Sequence, residues 1–176
     1  GGRVAADRFV LACGSWSAPL GRRLGLRLPV RPVKGYSATL PVGGWNAAPS
    51  MPVIDYFRKI ATVRLGDRIR LAGTAEFAGY DNSPNPRRGA MLMQGFGELF
   101  PEYPGSRDAT HWTGLRPMTP DGRPVLGATR WRNLYLNTGH GSLGWTLACG
   151  SARVLASVIG GRAPDIDIGG FGLDRF

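Results

Sequence analysis

Lysine is nearly missing from this sequence. Of the 22 basic residues only Lys34 and Lys59 are lysines, so the net charge of +10 is carried by arginine. The arginines are scattered, and only Arg22-Arg23 and Arg87-Arg88 are adjacent. With no basic run and no nucleic-acid motif, the charge reads as an arginine-rich solvated surface, or as a general attraction for phosphates and carboxylates, and nucleic acid is not expected as a partner. Two cysteines, Cys13 and Cys149, exclude a disulfide framework and a cysteine-based metal site, and both read as small core residues compatible with a reducing compartment. His111 and His140 have no partner at ligand spacing, so no metal is expected. No apolar run approaches the ~20 residues of a membrane span. No signal peptide is visible, and the chain opens Gly1-Gly2-Arg3 without methionine, which reads as a fragment or a trimmed chain. A cytoplasmic location is expected.

Glycine is abundant, with 27 residues in 176. The most informative run is Thr138-Gly139-His140-Gly141-Ser142-Leu143-Gly144-Trp145-Thr146. It follows a short apolar strand, Asn133 to Leu136, and opens into a helix-periodic stretch that stops at Gly160-Gly161. Glycines allow a backbone to approach a ligand closely, and the helix behind them offers unpaired N–H groups and the positive end of its dipole. Such a turn seats an anionic or electron-rich group.

The same pattern stands near the amino end. Residues Arg8 to Ala12 read as a buried, parallel-type strand, and Ser15 reads as the N-cap of a helix from Trp16 to Leu24 that Gly25 stops. The middle differs. Val30 to Leu40 reads as a strand whose prolines confine it to edges or ends. Residues 61–65 and 68–72 alternate with period two around Gly66-Asp67, which predicts an antiparallel hairpin. Arg87 to Phe100 reads as a helix with Leu92, Phe96 and Leu99 on one face, weakened by Gly89, Gly95 and Gly97, and Thr110 to Leu115 as a strand. The expected fold is therefore α/β (α+β): a Rossmann-type lobe, incomplete because no opening strand with a Gly-x-Gly-x-x-Gly phosphate loop precedes Arg8, with a mixed, largely antiparallel sheet lobe inserted. The expected boundaries are 1–27, 28–111 and 112–176.

A second constellation runs from Trp112 to Gly127. Pro120-Asp121-Gly122 has the chemistry of a turn. Arg116 ends an apolar strand beside Pro117, where its planar fork can take a carboxylate or can close a loop by pairing, for instance with Asp121.

In order along the chain, Ala12 to Ser17, Pro32 to Ser37, Arg68 to Glu76, Trp112 to Gly127 and Asn137 to Gly150 resemble the FAD-dependent D-amino-acid oxidase superfamily, in particular its bacterial D-amino-acid dehydrogenase small subunits. That resemblance implies FAD as cofactor and oxidative deamination of a D-amino acid, with electrons passed to a quinone-type acceptor. It implies that Arg116 pairs with the substrate carboxylate and that Tyr36 lines the substrate pocket, although Tyr36 reads equally well as an ordinary strand aromatic. It places Gly139, His140 and Gly141, with Gly144, Trp145 and Thr146, against the flavin ring, Gly14, Ser15 and Trp16 on the phosphate side, and Lys34-Gly35 near the flavin. His140 would act through its backbone more than its imidazole. The dinucleotide loop of such enzymes would come from an amino-terminal FAD-binding segment, and peripheral attachment to the inner membrane stays open. Two alternatives remain at this point: a glycine- or sarcosine-type amine oxidase, and a non-catalytic truncated module.

Overall fold

The computed structural model describes residues 2–105 and 108–176. In chain order its elements are β1 (Phe9–Leu11), α1 (Ser17–Arg23), β2 (Arg31–Pro41), β3 (Val53–Asp55), β4 (Ile60–Leu65), β5 (Arg68–Glu76), α2 (Pro86–Leu99), β6 (Thr110–Met118), β7 (Val125–Ala128), β8 (Leu134–Thr138) and α3 (Gly144–Ile159). They form two units: Gly1–Pro32 with Arg116–Phe176, and Val33–Leu115.

In the first unit the strand order is β1-β8-β7. Strands β1 and β8 are parallel, with Phe9 opposite Leu134 and Leu11 opposite Leu136, while β7 runs antiparallel to β8. Leu11, Leu26, Leu28, Val30, Val125 and Leu136 make the core. Because Leu28 and Val30 pack here, the second unit begins at residue 33 rather than 28. Strand β1 is parallel as expected but not buried: as an end strand it buries Leu11 and leaves Phe9 and Val10 43% and 45% exposed. Ser15 does not cap α1. It is buried inside a 3-10 turn, Gly14–Trp16, and the helix starts at Ser17. Gly25 does stop α1, at φ +72°, and the Leu26 amide donates back to the Gly21 carbonyl at 2.9 Å. Cys13 and Cys149 are exposed free thiols, not core residues. Residues Gly141–Ile159 are long and apolar enough, by length and composition alone, to cross a membrane, which the reading of apolar runs missed. In the structure Ser151, Val154 and Leu155 of this stretch are buried.

The second unit is a sheet of order β3-β4-β5-β2-β6. Leu65 and Arg68 flank the Gly66-Asp67 turn, with Gly66 at φ +63°, as the alternation predicts. Strand β2 is interior, so Pro32 and Pro41 stand at its ends rather than on an edge. Packing explains Gly89 and Gly95 of α2. A Cβ at Gly95 would lie 2.6 Å from Ile60 Cδ1, and one at Gly89 would lie 3.0 Å from the His111 ring. Asn85 caps this helix by accepting from the Arg87 amide at 3.0 Å. Leu92 and Phe96 are buried with Tyr36, Leu40, Trp45, Ile69 and Leu71, but Leu99 is not.

Candidate active site

In the first unit, two neighbouring parallel strands end in the same device. Strand β1 leads through Gly14 (φ +54°) into the 3-10 turn Gly14–Trp16 and then α1. Strand β8 leads through Gly139 (φ +80°) and Gly141 (φ +59°) into the 3-10 turn Gly141–Leu143 and then α3. The carboxyl ends of parallel strands are where ligands bind in open α/β sheets. The two turns are tied together by Thr138, whose Oγ1 hydrogen-bonds the Gly14 carbonyl at 3.2 Å and Ser17 Oγ at 2.8 Å. Thr138 and Ser17 are fully buried, so breaking the pair would strand polar atoms. A third segment runs along both turns. A Cβ at Gly14 would stand 3.9 Å from Pro117 Cγ, one at Gly141 2.9 Å from Met118 Sδ, and one at Gly139 2.7 Å from Thr119 Cγ2. Arg116 heads that segment.

Gly139 and Gly141 both have positive φ, and a Cβ on either would crowd its neighbour, Thr119 or Met118. Gly139-His140-Gly141-Ser142-Leu143-Gly144 also has the Gly-x-Gly-x-x-Gly spacing, after a strand and before a helix. It differs from a dinucleotide fingerprint because no strand follows α3 among the described residues, so no βαβ unit is formed.

What remains open at this turn is polar. No side chain caps the amino end of α3. Trp145 is 95% exposed and Thr146 and Leu143 are exposed, so the helix start is accessible. Beside it, Asn137 Oδ1 and His140 Nε2 are buried without a hydrogen-bond partner. Burial pushes the His140 pKa below its ordinary value, so the imidazole is neutral at pH 7. An uncapped helix start beside stranded polar atoms fits a planar ligand whose edge carries both donors and acceptors and which gathers negative charge. A flavin ring has that chemistry.

Arg116 is partly buried, and desolvation lowers its pKa from the usual guanidinium value. Arg175, from the carboxyl tail, takes Asp121 with Nε at 2.8 Å and Nη2 at 3.2 Å. That hydrogen bonding holds the Asp121 carboxyl at about 2, against an ordinary value of 3.8. A depressed carboxylate pKa gives stability that is present in full above the unfolded value and fades as pH falls through the folded one. Acid unfolding of the native chain between about pH 4 and pH 2 should therefore be steeper than that of Asp121→Asn, as followed by circular dichroism.

The other expected residues lie in the second unit. Lys34 is 2% exposed, and its Nζ lies 3.2 Å from Glu76 Oε2, 3.5 Å from Asp81 Oδ2 and 3.0 Å from the Ser83 carbonyl. Burial pulls the ammonium down, but Glu76, Tyr36 and Asp81 outweigh it and its pKa is raised. The Tyr36 ring packs in the core of this unit and its hydroxyl donates to Glu76. Gly35 sits where the register between β2 and β5 shifts, so that Thr74 and Ala75 both fall against it, with Thr74 in a left-handed conformation (φ +54°). The sequence reading missed Glu76 and Asp81 as partners of Lys34, because residues 42 and 47 positions apart carry no local signal. It missed Arg175 for the same reason. Thr138 and Asn137 lay inside quoted motifs, but only the fold shows what their side chains meet.

The sequence model described as DAO, FAD dependent oxidoreductase, matches residues 1–158. The chain belongs to this family. Members similar to it include the D-amino acid dehydrogenase of Xanthobacter autotrophicus, 55% identical over 177 residues and covering 100% of this chain and 42% of that protein. The D-amino acid dehydrogenase of Methylobacterium nodulans is 56% identical over 163 residues, covering 93% and 39%. Among solved structures, glycine oxidase from Geobacillus kaustophilus superposes with a TM-score of 0.85 at 28% identity, over 98% of this chain and 46% of that one. The chain thus spans about two fifths of the curated relatives, and its α/β architecture is that of the family's flavoenzymes.

Proposed function

We propose that this chain forms the carboxyl-terminal part of an FAD-dependent D-amino-acid dehydrogenase. The observation that carries the reading is the pair of glycine turns on β1 and β8, joined by Thr138 and flanked by the Arg116–Thr119 segment, in a chain 55% identical throughout to a D-amino acid dehydrogenase. Gly139–Gly141 with Gly144–Thr146 would hold the flavin ring and Gly14–Trp16 the phosphate side. An amino-terminal FAD-binding segment supplies the dinucleotide loop. FAD, when bound, supplies the acceptor for the hydride that leaves the substrate Cα.

The residues present would do the rest. Arg116 would grip the α-carboxylate with its fork and so fix which face of Cα is presented. The amino end of α3 would stabilise negative charge as it develops next to it. An amine that enters neutral needs no side-chain base. The imine product, on hydrolysis, gives the 2-oxo acid and ammonia, and the electrons pass on to a quinone-type acceptor. Such an acceptor is met at a membrane, which suits a cytoplasmic protein attached peripherally to the inner membrane.

The test is a visible spectrum of the chain after incubation with FAD and desalting, repeated with the amino-terminal segment supplied. Flavin bands that bleach anaerobically with D-alanine are the expected result. No flavin retained under either condition would overturn the reading in favour of a non-catalytic module. The fold likeness to a glycine oxidase supports an amine-oxidase alternative. Oxygen consumption without reduction of a quinone-like dye would establish that alternative in place of the dehydrogenase.

A further inference from the structure

We propose that Arg175 is a positioning residue for the site: through one guanidinium it clamps the turn that holds Arg116 and the Gly139–Gly141 loop in place. The inference rests on the functional reading above, yet Arg175 itself lies beyond the family match, which ends at residue 158. Arg175 is largely buried, at 11% side-chain exposure. Its Nε and Nη2 fork onto the Asp121 carboxylate, and Nη2 also donates to the Arg123 carbonyl at 2.8 Å. Its Nη1 donates to the Phe171 and Gly172 carbonyls, each at 2.9 Å. All the guanidinium nitrogens are used, and the acceptors are three backbone carbonyls and one carboxylate, a set that a lysine could not satisfy in one geometry.

What the clamp holds is the turn 119–123. Inside it, the Gly122 amide donates to the Thr119 carbonyl at 3.3 Å, the Arg123 amide to Asp121 Oδ1 at 3.2 Å, and Thr119 Oγ1 to the Arg123 carbonyl at 2.7 Å. The Leu126 amide donates to the Phe171 carbonyl at 3.0 Å, so the tail is stapled to β7 as well. Thr119 is the residue that closes against Gly139, and Met118 the one that closes against Gly141. Arg116 stands three residues before Thr119 on the same strand end. A chain of contacts thus runs from the tail guanidinium through the Arg123 carbonyl to Thr119, and from there to Gly139.

The test compares Arg175→Ala, Arg175→Lys and Asp121→Asn with the native chain by amide hydrogen exchange, with no flavin or substrate present. In Arg175→Ala, exchange in peptides covering 116–123 and 138–143 should rise by about tenfold, while the β4–β5 hairpin and the distal half of α3 stay as they are. Arg175→Lys should fall between the two. Should Arg175→Ala fail to fold, Arg175→Lys and Asp121→Asn are judged by the same pattern. Unchanged exchange at 138–143 in a folded variant would overturn the proposal. So would an equal rise everywhere in every variant, which is a loss of stability without positioning. Dissociation of FAD, read by flavin fluorescence, should weaken alongside. A loop that softens in a chain taking up no FAD even with the amino-terminal segment supplied would uphold the clamp and sink the cofactor reading. Bound flavin with an unmoved loop would do the reverse.

Discussion

Replacing Arg116 by alanine is expected to abolish the bleaching of bound flavin by D-alanine at ordinary substrate concentrations while leaving the flavin itself bound. Truncating one member of a partly buried, hydrogen-bonded charge pair costs roughly 2–5 kcal/mol. That range corresponds to a fall of about 30- to 5000-fold in kcat/KM, since each 1.4 kcal/mol is about a factor of ten. The loss should be chiefly in KM if Arg116 only captures the carboxylate, and in kcat as well if it also fixes the angle at which Cα is presented. Arg116→Lys separates charge from geometry. A lysine keeps the cation but loses the planar fork, so it should recover part of the binding and little of the rate. Bleaching in Arg116→Ala at native substrate levels would remove this residue from substrate binding.

Arg116 also shows how far the sequence could be read. Its place at the end of an apolar strand, next to Pro117, was legible, because proline and the following Pro-Asp-Gly turn punctuate the chain locally. The glycine turns were legible for the same reason, as were the hairpin at Gly66-Asp67 and the stop at Gly25. What was not legible depended on who meets whom across long separations. Asp121 lies five residues from Arg116 and 54 from Arg175, and nearness in sequence favoured the wrong partner. Phe9 and Val10 read as buried because their residue types are apolar, but burial depends on what lies across the strand. In α2, Gly89 and Gly95 argued against a helix by propensity, and packing against His111 and Ile60 overrode that. That Glu76 takes both Tyr36 and Lys34 was not legible, because nothing local ties residues so far apart in the chain.

Gly139→Ala should be the most damaging of the conservative changes. The residue sits at φ +80°, where a side chain is strained by roughly 1–2 kcal/mol. The added methyl would stand 2.7 Å from Thr119 Cγ2, with Val30 Cγ2 at 3.5 Å and the Val125 amide nitrogen at 3.6 Å behind it. Thr119 cannot swing aside cheaply. It is buried, and its hydroxyl is bonded to the Arg123 carbonyl in the turn that Arg175 holds. The strain must then be relieved by moving the loop, which carries His140 and Gly141 at the amino end of α3. Overpacking of this kind costs typically about 1–3 kcal/mol. Added to the backbone strain, that predicts about 2–5 kcal/mol lost from unfolding stability, measured by urea denaturation. Gly144→Ala is the control. Its φ is −56°, and its Cβ would meet only His140 Cβ, at the ordinary distance of 3.5 Å, so stability should change little. If the loop seats the flavin ring, Gly139→Ala should lose flavin even under conditions where it remains folded, and Gly144→Ala should keep it. Equal flavin retention in the two folded variants would show that the position of this loop does not govern the cofactor.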